Sequence, residues 1–153
     1  MWPWIIGGAV LAGKAIFEYF DAKEEEERNL LSGIDEIDVM TGKQFEMFLS
    51  VYYRQLGYDV TVTPSTQDYG ADLILRKNGI KTIVQAKRAK TPVSVRAVQE
   101  IVGAIKYYRA DKALVITNNR FTENACNLAR ANGVELWDRK KLIDFIVHVK
   151  QIK

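Results

Sequence analysis

The hydrophobic pattern of the chain becomes regular after Thr41. Thr41 and Gln44 have the spacing of a capping box, and apolar residues then recur at helical intervals as far as Leu56. Gly57 suits the position just beyond the end of a helix. Residues 58–63 (YDVTVT) alternate instead and are rich in β-branched side chains. The pattern therefore predicts a helix that begins at Thr41, followed by a strand over residues 58–63.

The next two apolar runs are predicted to form a hairpin. Residues 71–76 (ADLILR) and residues 80–88 (IKTIVQAKR) have the composition of strands, and Asn78 and Gly79 lie between them. Asn-Gly is the strongest short signal for a two-residue turn because both residues readily adopt positive φ. We therefore expect these two strands to pair in antiparallel fashion.

The second half of the chain alternates helices and strands. The pattern predicts a helix marked by Val95, Val98, Val102, Ile105 and Tyr108, a strand over 113–117, a helix over 122–132, a strand over 134–137 and a final helix from Arg139. Gly133 suits the end of the middle helix, and Asp138 suits the N-cap of the last one. The order α-β-β-β-α-β-α-β-α predicts an α/β fold, a mixed β-sheet flanked by helices.

The N-terminal segment differs from the rest of the chain. Residues 1–13 carry no charged side chain, and the apolar stretch reaches Phe20 only by including Lys14 and Glu18, so its length is borderline for a membrane span. Trp2 and Trp4 resemble interfacial anchors. We expect residues 1–20 to contact a membrane, with the domain on its cytoplasmic face. The alternative is a helix that packs on the domain or on a second copy of itself.

Charge divides the chain at nearly the same point as the hydrophobic pattern. Residues 1–40 carry 3 basic and 9 acidic side chains, whereas residues 41–153 carry 19 basic and 10 acidic ones. We predict an apolar helix with an acidic linker over residues 1–32 and a domain over residues 33–153. The basic surplus of that domain suits a polyanion such as nucleic acid. A single cysteine and a single histidine give no basis for an intramolecular disulfide or a Cys/His zinc site.

Three polar residues interrupt the predicted hairpin. Gln85 and Lys87 are two residues apart on one strand, so their side chains project to the same face. Asp72 stands at the start of the neighbouring strand, and all three side chains could converge. Uncompensated charge is costly inside a sheet, which favours a functional role for these residues. The alternative is that this face of the sheet is open to solvent.

The residues around these three resemble the Mrr-type branch of the PD-(D/E)xK nuclease superfamily. Residues 42–46 (GKQFE) match its G-x-x-F-E motif, residues 68–72 (DYGAD) match D-x-G-x-D, and residues 85–87 (QAK) match Q-x-K. The resemblance continues in the same order through the later helices and spans residues 35–146. It implies a restriction-endonuclease-like fold and a metal-dependent DNA endonuclease.

The resemblance also implies the composition of the site. A Mg²⁺ ion would be held by Asp72, the amide oxygen of Gln85 and the backbone carbonyl of Ala86, while Lys87 would act on the attacking water and the transition state. Glu46 would complete the site by holding a metal-bound water. The resemblance leaves open the role of the remaining motif residue, Asp68. The sequence favours a structural role, in which the Asp68 side chain stabilises the turn beside Gly70 through an Asx-type hydrogen bond.

A basic cluster follows the Q-x-K motif. Arg88, Lys90 and Arg96 are expected to contact DNA phosphates, the alternative being solvated loop charges. Gln99, on the helix that follows, would contact a phosphate or help to position the active-site residues. The alternative, a helix-surface residue without a functional role, fits the sequence equally well. The resemblance implies no small-molecule cofactor.

The function expected from these features is hydrolysis of DNA phosphodiester bonds in a restriction or defence setting in the cytoplasm. Two rivals stay open: a non-catalytic DNA-binding module on the same fold, and a membrane-tethered assembly protein whose support is limited to residues 1–20. Cutting both DNA strands ordinarily requires two active sites, which leaves a homodimer open as well.

Overall fold

The computed structural model describes residues 3–64 and 69–152, with side chains from residue 13 onward. The helices are α1 (Pro3–Ser32), α2 (Ile34–Asp38), α3 (Gly42–Gln55), α4 (Val95–Tyr108), α5 (Glu123–Ala131) and α6 (Arg139–Gln151). The strands are β1 (Asp59–Val62), β2 (Leu73–Lys77), β3 (Ile80–Lys87), β4 (Lys112–Thr117) and β5 (Val134–Trp137). The predicted order of elements from Thr41 onward is confirmed.

The five strands form one mixed sheet in the order β1-β2-β3-β4-β5. β1, β2 and β3 pair in antiparallel fashion, whereas β3, β4 and β5 run parallel. β3 therefore separates an antiparallel half from a parallel half. The predicted fold class, a mixed sheet flanked by helices, is confirmed.

Each face of the sheet has its own hydrophobic core. On one face α2, α3 and α6 pack against alternate strand residues that include Leu73, Val84 and Ala86. On the other face α4 and α5 pack against the intervening residues, among them Ile74 and Ile83. This alternation decides the direction of the polar residues of β3, since Gln85 and Lys87 follow Ile83 at intervals of two and face α4.

Local sequence signals set the ends of the elements as predicted. The side chain of Thr41 accepts a hydrogen bond of 3.1 Å from the backbone amide of Gln44, and the side-chain oxygen of Gln44 accepts one of 2.9 Å from the amide of Thr41. The hairpin turn has φ of 53° at Asn78 and 78° at Gly79. These values place both residues in the left-handed region that a two-residue hairpin turn requires.

Several strand boundaries shift by one or two residues from the predictions, and one helix was not predicted. β2 begins at Leu73, so Asp72 stands just before the strand, and β3 ends at Lys87 rather than at the following arginine. The short helix α2 was not predicted. Its five residues are too few to show a helical period, and its apolar positions Ile34 and Ile37 are buried in the core that α3 and α6 share.

Helix α1 is attached to the domain at its C-terminal end. Arg28 is hydrogen-bonded to Asp144 of α6, and the ammonium of Lys150 donates to the carbonyl of Leu31 at 2.9 Å. Residues 13–27, including the acidic run, are exposed. None of the described helices is both long and apolar enough to cross a bilayer. Trp2 lies outside the described residues, and the membrane contact and the division at residue 32 stay predictions.

Candidate active site

The candidate site lies where the β2–β3 hairpin opens. The two strands pair with Leu73 opposite Val84, and the amide of Asp72 donates to the carbonyl of Val84 at 2.8 Å. Asp72 precedes Leu73, the last residue of this pairing, and its backbone therefore lies beside Val84. The carboxylate of Asp72 then accepts a hydrogen bond of 2.8 Å from the backbone amide of Ala86. The structure thus brings together the acid and the Q-x-K residues that the sequence singled out.

The backbone of Ala86 contributes an oxygen to the same place. Within a strand the N–H and C=O of one residue point to the same edge. Since the amide of Ala86 is directed at Asp72, its carbonyl is directed at the opening of the hairpin as well. The Asp72 carboxylate and the Ala86 carbonyl therefore lie on the same side of β3, next to the start of β2.

Gln85 is buried, with only 4% of its surface exposed. Its amide nitrogen donates to the carboxylate of Glu100 on α4 at 2.7 Å, while its amide oxygen is buried without a hydrogen-bond partner among the described residues. A buried acceptor left unpaired costs about 1–3 kcal/mol. The Gln85 oxygen is therefore suited to a ligand that the protein itself does not supply, and a cation is one that an amide oxygen can bind.

Lys87 completes the group on the α4 face. Its ammonium lies 3.6 Å from the carboxylate of Glu100, which also forms an ion pair of 3.4 Å with Arg96 one helical turn earlier. Glu100 therefore contacts Gln85, Lys87 and Arg96 together. Sequence reasoning missed Glu100 as a site residue because nothing in its local pattern indicates which part of α4 crosses β3.

Gly70 fixes the loop that leads into the site. Its φ is 92°, and a Cβ atom at this position would lie 2.4 Å from the backbone carbonyl oxygen of Glu100. Real Cβ atoms do not approach backbone oxygen so closely, so only glycine fits between this loop and α4. The requirement accounts for the glycine of the D-x-G-x-D motif. It also ties the backbone next to Asp72 to the helix that holds Gln85.

The remaining predicted residues are distributed around this group. Glu46 is half-buried on α3, whose core packs on the opposite face of the sheet, and it forms an ion pair of 3.6 Å with Lys43. Asp68 lies outside the described residues. Gln99 is exposed on α4, and Lys90 is exposed after β3. Among the described residues, no three His, Cys, Asp or Glu side chains are grouped as a metal site.

Arg88 points away from the other basic residues. Its guanidinium donates at 3.4 Å to the backbone carbonyl of Asp38 at the end of α2. The carboxylate of Asp38 is held by both terminal nitrogens of Arg139, at 2.7 and 3.0 Å, and by the amide of Asn118 at 2.9 Å. Asn118 in turn accepts from the amide of Ala89 at 2.7 Å. This network anchors the chain that leaves the site after Lys87.

The Asp38 network has an electrostatic consequence. Burial raises the pKa of Asp38, but hydrogen bonds from Arg139 and Asn118 and the nearby positive charges outweigh it, so the pKa lies below its usual value. The same carboxylate raises the pKa of Arg139. The pair is therefore charged at neutral pH.

Among the described residues, a groove of about 680 Å³ lies between α1 and the loops that follow β4 and β5. Its lining includes Arg28, Asn118 and Arg139, but not Asp72, Gln85 or Lys87. The candidate active site thus stands apart from this groove, at the open end of a strand pair.

Comparisons with known proteins agree with this geometry. The fold is similar to that of the DNA modification-dependent restriction endonuclease AspBHI, with a TM-score of 0.59 and 16% identity over 82% of this chain and 36% of that one. The crystal structure of AF1548 is similar with a TM-score of 0.57 and 15% identity over 72% of this chain and 66% of that one. At these identities the likeness concerns the fold alone.

The mixed five-stranded sheet with helices on both faces has the fold of a restriction endonuclease. The family model Mrr_cat, described as a restriction endonuclease, matches residues 37–146, and the chain belongs to this family. The Sinorhizobium fredii protein y4cE is 27% identical over 77% of this chain and 34% of its own length. This chain therefore spans about a third of y4cE and of AspBHI.

Proposed function

We propose that this chain is a metal-dependent DNA endonuclease that hydrolyses phosphodiester bonds. The observation that carries the proposal is that the Asp72 carboxylate is hydrogen-bonded to the backbone of Ala86, which lies between Gln85, whose buried amide oxygen has no hydrogen-bond partner among the described residues, and Lys87. Membership of a restriction endonuclease family supports hydrolysis as the reaction. The name of AspBHI supports DNA as the substrate by analogy.

The three oxygens suit Mg²⁺, which binds one or two protein carboxylates or carbonyls and keeps several waters. When bound, such an ion supplies Lewis acidity and lowers the pKa of a coordinated water. Asp72, just before β2, and the Ala86 carbonyl of β3 would hold it, and Gln85 would hold it from the α4 face. The Gln85 oxygen is buried without a hydrogen-bond partner among the described residues, which is costly unless a ligand binds it. This observation supports a cation as the ligand.

Lys87 would act on the phosphate. In hydrolysis the water oxygen forms a bond to phosphorus, the bond to the leaving sugar oxygen breaks, and negative charge accumulates on the phosphate oxygens. A fixed ammonium beside that charge stabilises it more in the transition state than in the ground state. The Glu100 carboxylate limits the motion of Lys87 and keeps its ammonium on the α4 side of the sheet.

Glu46 is a further proposed member of the site. Because Gln85 is neutral, Asp72 is the one carboxylate among the three proposed ligands, and a second carboxylate would help to balance a divalent charge. The ion pair of Glu46 with Lys43 would have to open for this role, because that pair occupies the carboxylate in the present structure. A Glu46→Gln variant with weakened metal binding would support the assignment, and unchanged metal binding would remove Glu46 from the site.

The experiment that tests the proposal is incubation of the purified chain with supercoiled plasmid DNA, with Mg²⁺ or with EDTA. We expect nicked or linear DNA only with Mg²⁺, and none from a folded Asp72→Asn variant prepared identically. The variant controls for contaminating nucleases, since its surface is otherwise the same. DNA binding by the wild-type chain without cleavage in Mg²⁺ or Mn²⁺ would contradict the proposal and favour the non-catalytic DNA-binding module.

A further inference from the structure

The carboxylate of Glu100 is the point where the side chains of the α4 face meet. One of its oxygens accepts the 2.7 Å hydrogen bond from Gln85 and lies 3.6 Å from the ammonium of Lys87, while its other oxygen pairs with Arg96 at 3.4 Å. Gly70 packs against the backbone of the same residue. Both the side chain and the main chain of Glu100 are therefore fixed relative to the hairpin.

A carboxamide needs such a partner because its two ends are nearly equal in shape and opposite in hydrogen bonding. The nitrogen of Gln85 can only donate, its oxygen can only accept, and an ionised carboxylate can only accept. Glu100 therefore selects the orientation in which the nitrogen faces α4. A rotation of 180° would place the Gln85 oxygen against the carboxylate, losing a charge-assisted hydrogen bond and adding repulsion.

We propose that Glu100 is a positioning residue that holds the amide oxygen of Gln85 toward the metal-binding space. The inference rests on the proposed function, because it assigns that oxygen a cation. Glu100 contacts neither metal nor substrate in this role and acts through Gln85. Partners of metal ligands typically contribute about 10- to 100-fold to metal affinity or activity.

The first test replaces Glu100 by its isosteric amide. In Glu100→Gln the new amide nitrogen can donate to the Gln85 oxygen, so the flipped orientation satisfies an acceptor that the native orientation leaves unpaired, and the flipped orientation is favoured. We expect Mn²⁺, used as a spectroscopic probe for Mg²⁺, to bind at least about tenfold more weakly, with cleavage reduced in parallel. Glu123→Gln is the matched control, because this exposed carboxylate lies on α5 away from the site. Circular dichroism and the thermal midpoint establish that both variants are folded.

The second test reverses the polarity of the pair. Gln85→Glu alone places two carboxylates in contact. We therefore expect this variant either to be less stable or to share a proton between the two groups, and to keep only part of the wild-type cleavage activity. In the double variant Gln85→Glu with Glu100→Gln, the amide at position 100 donates to the carboxylate at position 85. Since the two oxygens of a carboxylate are equivalent, this site needs no selected orientation. We expect the double variant to bind Mn²⁺ at least about tenfold more tightly than Glu100→Gln.

The outcomes separate the two proposals. Wild-type protein that binds Mn²⁺ and cuts DNA, with Glu100→Gln within about twofold of it in both, would overturn the positioning role and leave the endonuclease proposal intact. The fold-change in Mn²⁺ affinity caused by Glu100→Gln should differ between the wild type and the Gln85→Glu variant. Equal fold-changes in the two backgrounds would also overturn the positioning role, because the two residues would then act independently. Wild-type protein that neither binds Mn²⁺ nor cuts DNA would overturn the proposed function itself.

Discussion

The carboxylate of Asp72 accepts a hydrogen bond of 2.8 Å from the backbone amide of Ala86, across the hairpin that joins β2 and β3. Because β2 begins only at Leu73, the Asp72 side chain, and not a strand backbone carbonyl, accepts the hydrogen bond from the amide of Ala86. This hydrogen bond therefore gives Asp72 a structural role in addition to its proposed role at the metal. The two roles can be separated because the hydrogen bond needs an oxygen, whereas the metal favours a charge.

We predict that Asp72→Asn abolishes cleavage while preserving the fold. The amide oxygen of asparagine can still accept from Ala86, but the negative charge is lost, so Mg²⁺ affinity should fall and the rate should drop on the order of 10²-fold or more. Asp72→Ala should lose the hydrogen bond as well and be destabilised by about 1 kcal/mol. Plasmid nicking and urea unfolding measure the two effects. Cleavage by folded Asp72→Asn at the wild-type rate would remove Asp72 from the active site.

Lys87→Ala should also abolish cleavage, but it should spare metal binding. Lys87 is assigned to the charge that develops on the phosphate, and its loss should cost on the order of 10²-fold or more in rate. DNA binding should stay largely intact because it draws on the wider basic surface. Mn²⁺ affinity and cleavage are measured on the same preparation. Full activity of folded Lys87→Ala would disprove the assigned site, and lost Mn²⁺ binding would disprove the division of roles.

Gly70→Ala should disturb the site through packing. The alanine would have to keep the φ of 92°, which is unfavourable for a residue with a side chain, and its Cβ would lie 2.4 Å from the carbonyl oxygen of Glu100. Gly133→Ala is the matched control, since its φ is +66° but its Cβ would meet no described atom within 4 Å. The left-handed backbone costs about 1–2 kcal/mol in both variants. We expect only Gly70→Ala to be destabilised beyond this amount and to lose cleavage, and equal loss of stability in the two variants would contradict the packing argument.

The sequence predicted the elements of this site because each depends on a local signal. The Asn78-Gly79 turn sets the register of the hairpin, which ends with Leu73 opposite Val84 and so brings Asp72 to the backbone of Val84 and Ala86. The two-residue strand period then directs Gln85 and Lys87 to one face. Likewise the Thr41 capping box determines where α3 begins. Once these short-range rules are combined, the acid and the Q-x-K residues are neighbours.

Other features depend on contacts between distant parts of the chain. Glu100 reaches Gln85 and Lys87 only because α4 crosses β3 at one particular angle, and no pattern within α4 specifies it. Helix α2 forms because Ile34 and Ile37 enter a core built mainly by later elements. The ion pair between Asp38 and Arg139 also depends on tertiary packing, because the two residues are 101 positions apart in the chain. Periodicity contains no information on such pairings.

DNA binding should weaken steeply as salt increases, because phosphate contacts release condensed counterions. Replacing Lys90 or Arg96 by glutamine should reduce the slope of log K against log salt by about 1 each if each contacts one phosphate. Arg88→Gln should have less effect on the slope, since its guanidinium is directed at Asp38. Lys112→Gln is the control, because this exposed residue pairs with Thr82 at the opposite end of β3. Equal slopes for all four variants would place the DNA-binding surface elsewhere.

Acid should destabilise the fold in part through Asp38. Burial raises the pKa of this carboxyl, but the hydrogen bonds from Arg139 and Asn118 dominate and hold the pKa below its ordinary value of 3.8. A carboxyl whose pKa is lower in the folded than in the unfolded state stabilises the fold above the unfolded value. That contribution disappears as the pH falls through the unfolded and then the folded pKa.

We therefore predict that Asp38→Asn is less stable than the wild type at pH 7, by roughly 1–2 kcal/mol, because Arg139 loses a charged partner. The difference should shrink as the pH falls from about 5 to below the folded pKa, where the wild type also lacks the charge. Asp35→Asn provides the control, since the Asp35 side chain lies 3.9 Å from Arg139 but is 93% exposed and should contribute little. Urea unfolding from about pH 7 to about pH 3 measures all three proteins. Curves for the wild type and Asp38→Asn that stay parallel over this range would mean that the charge of Asp38 does not stabilise the fold.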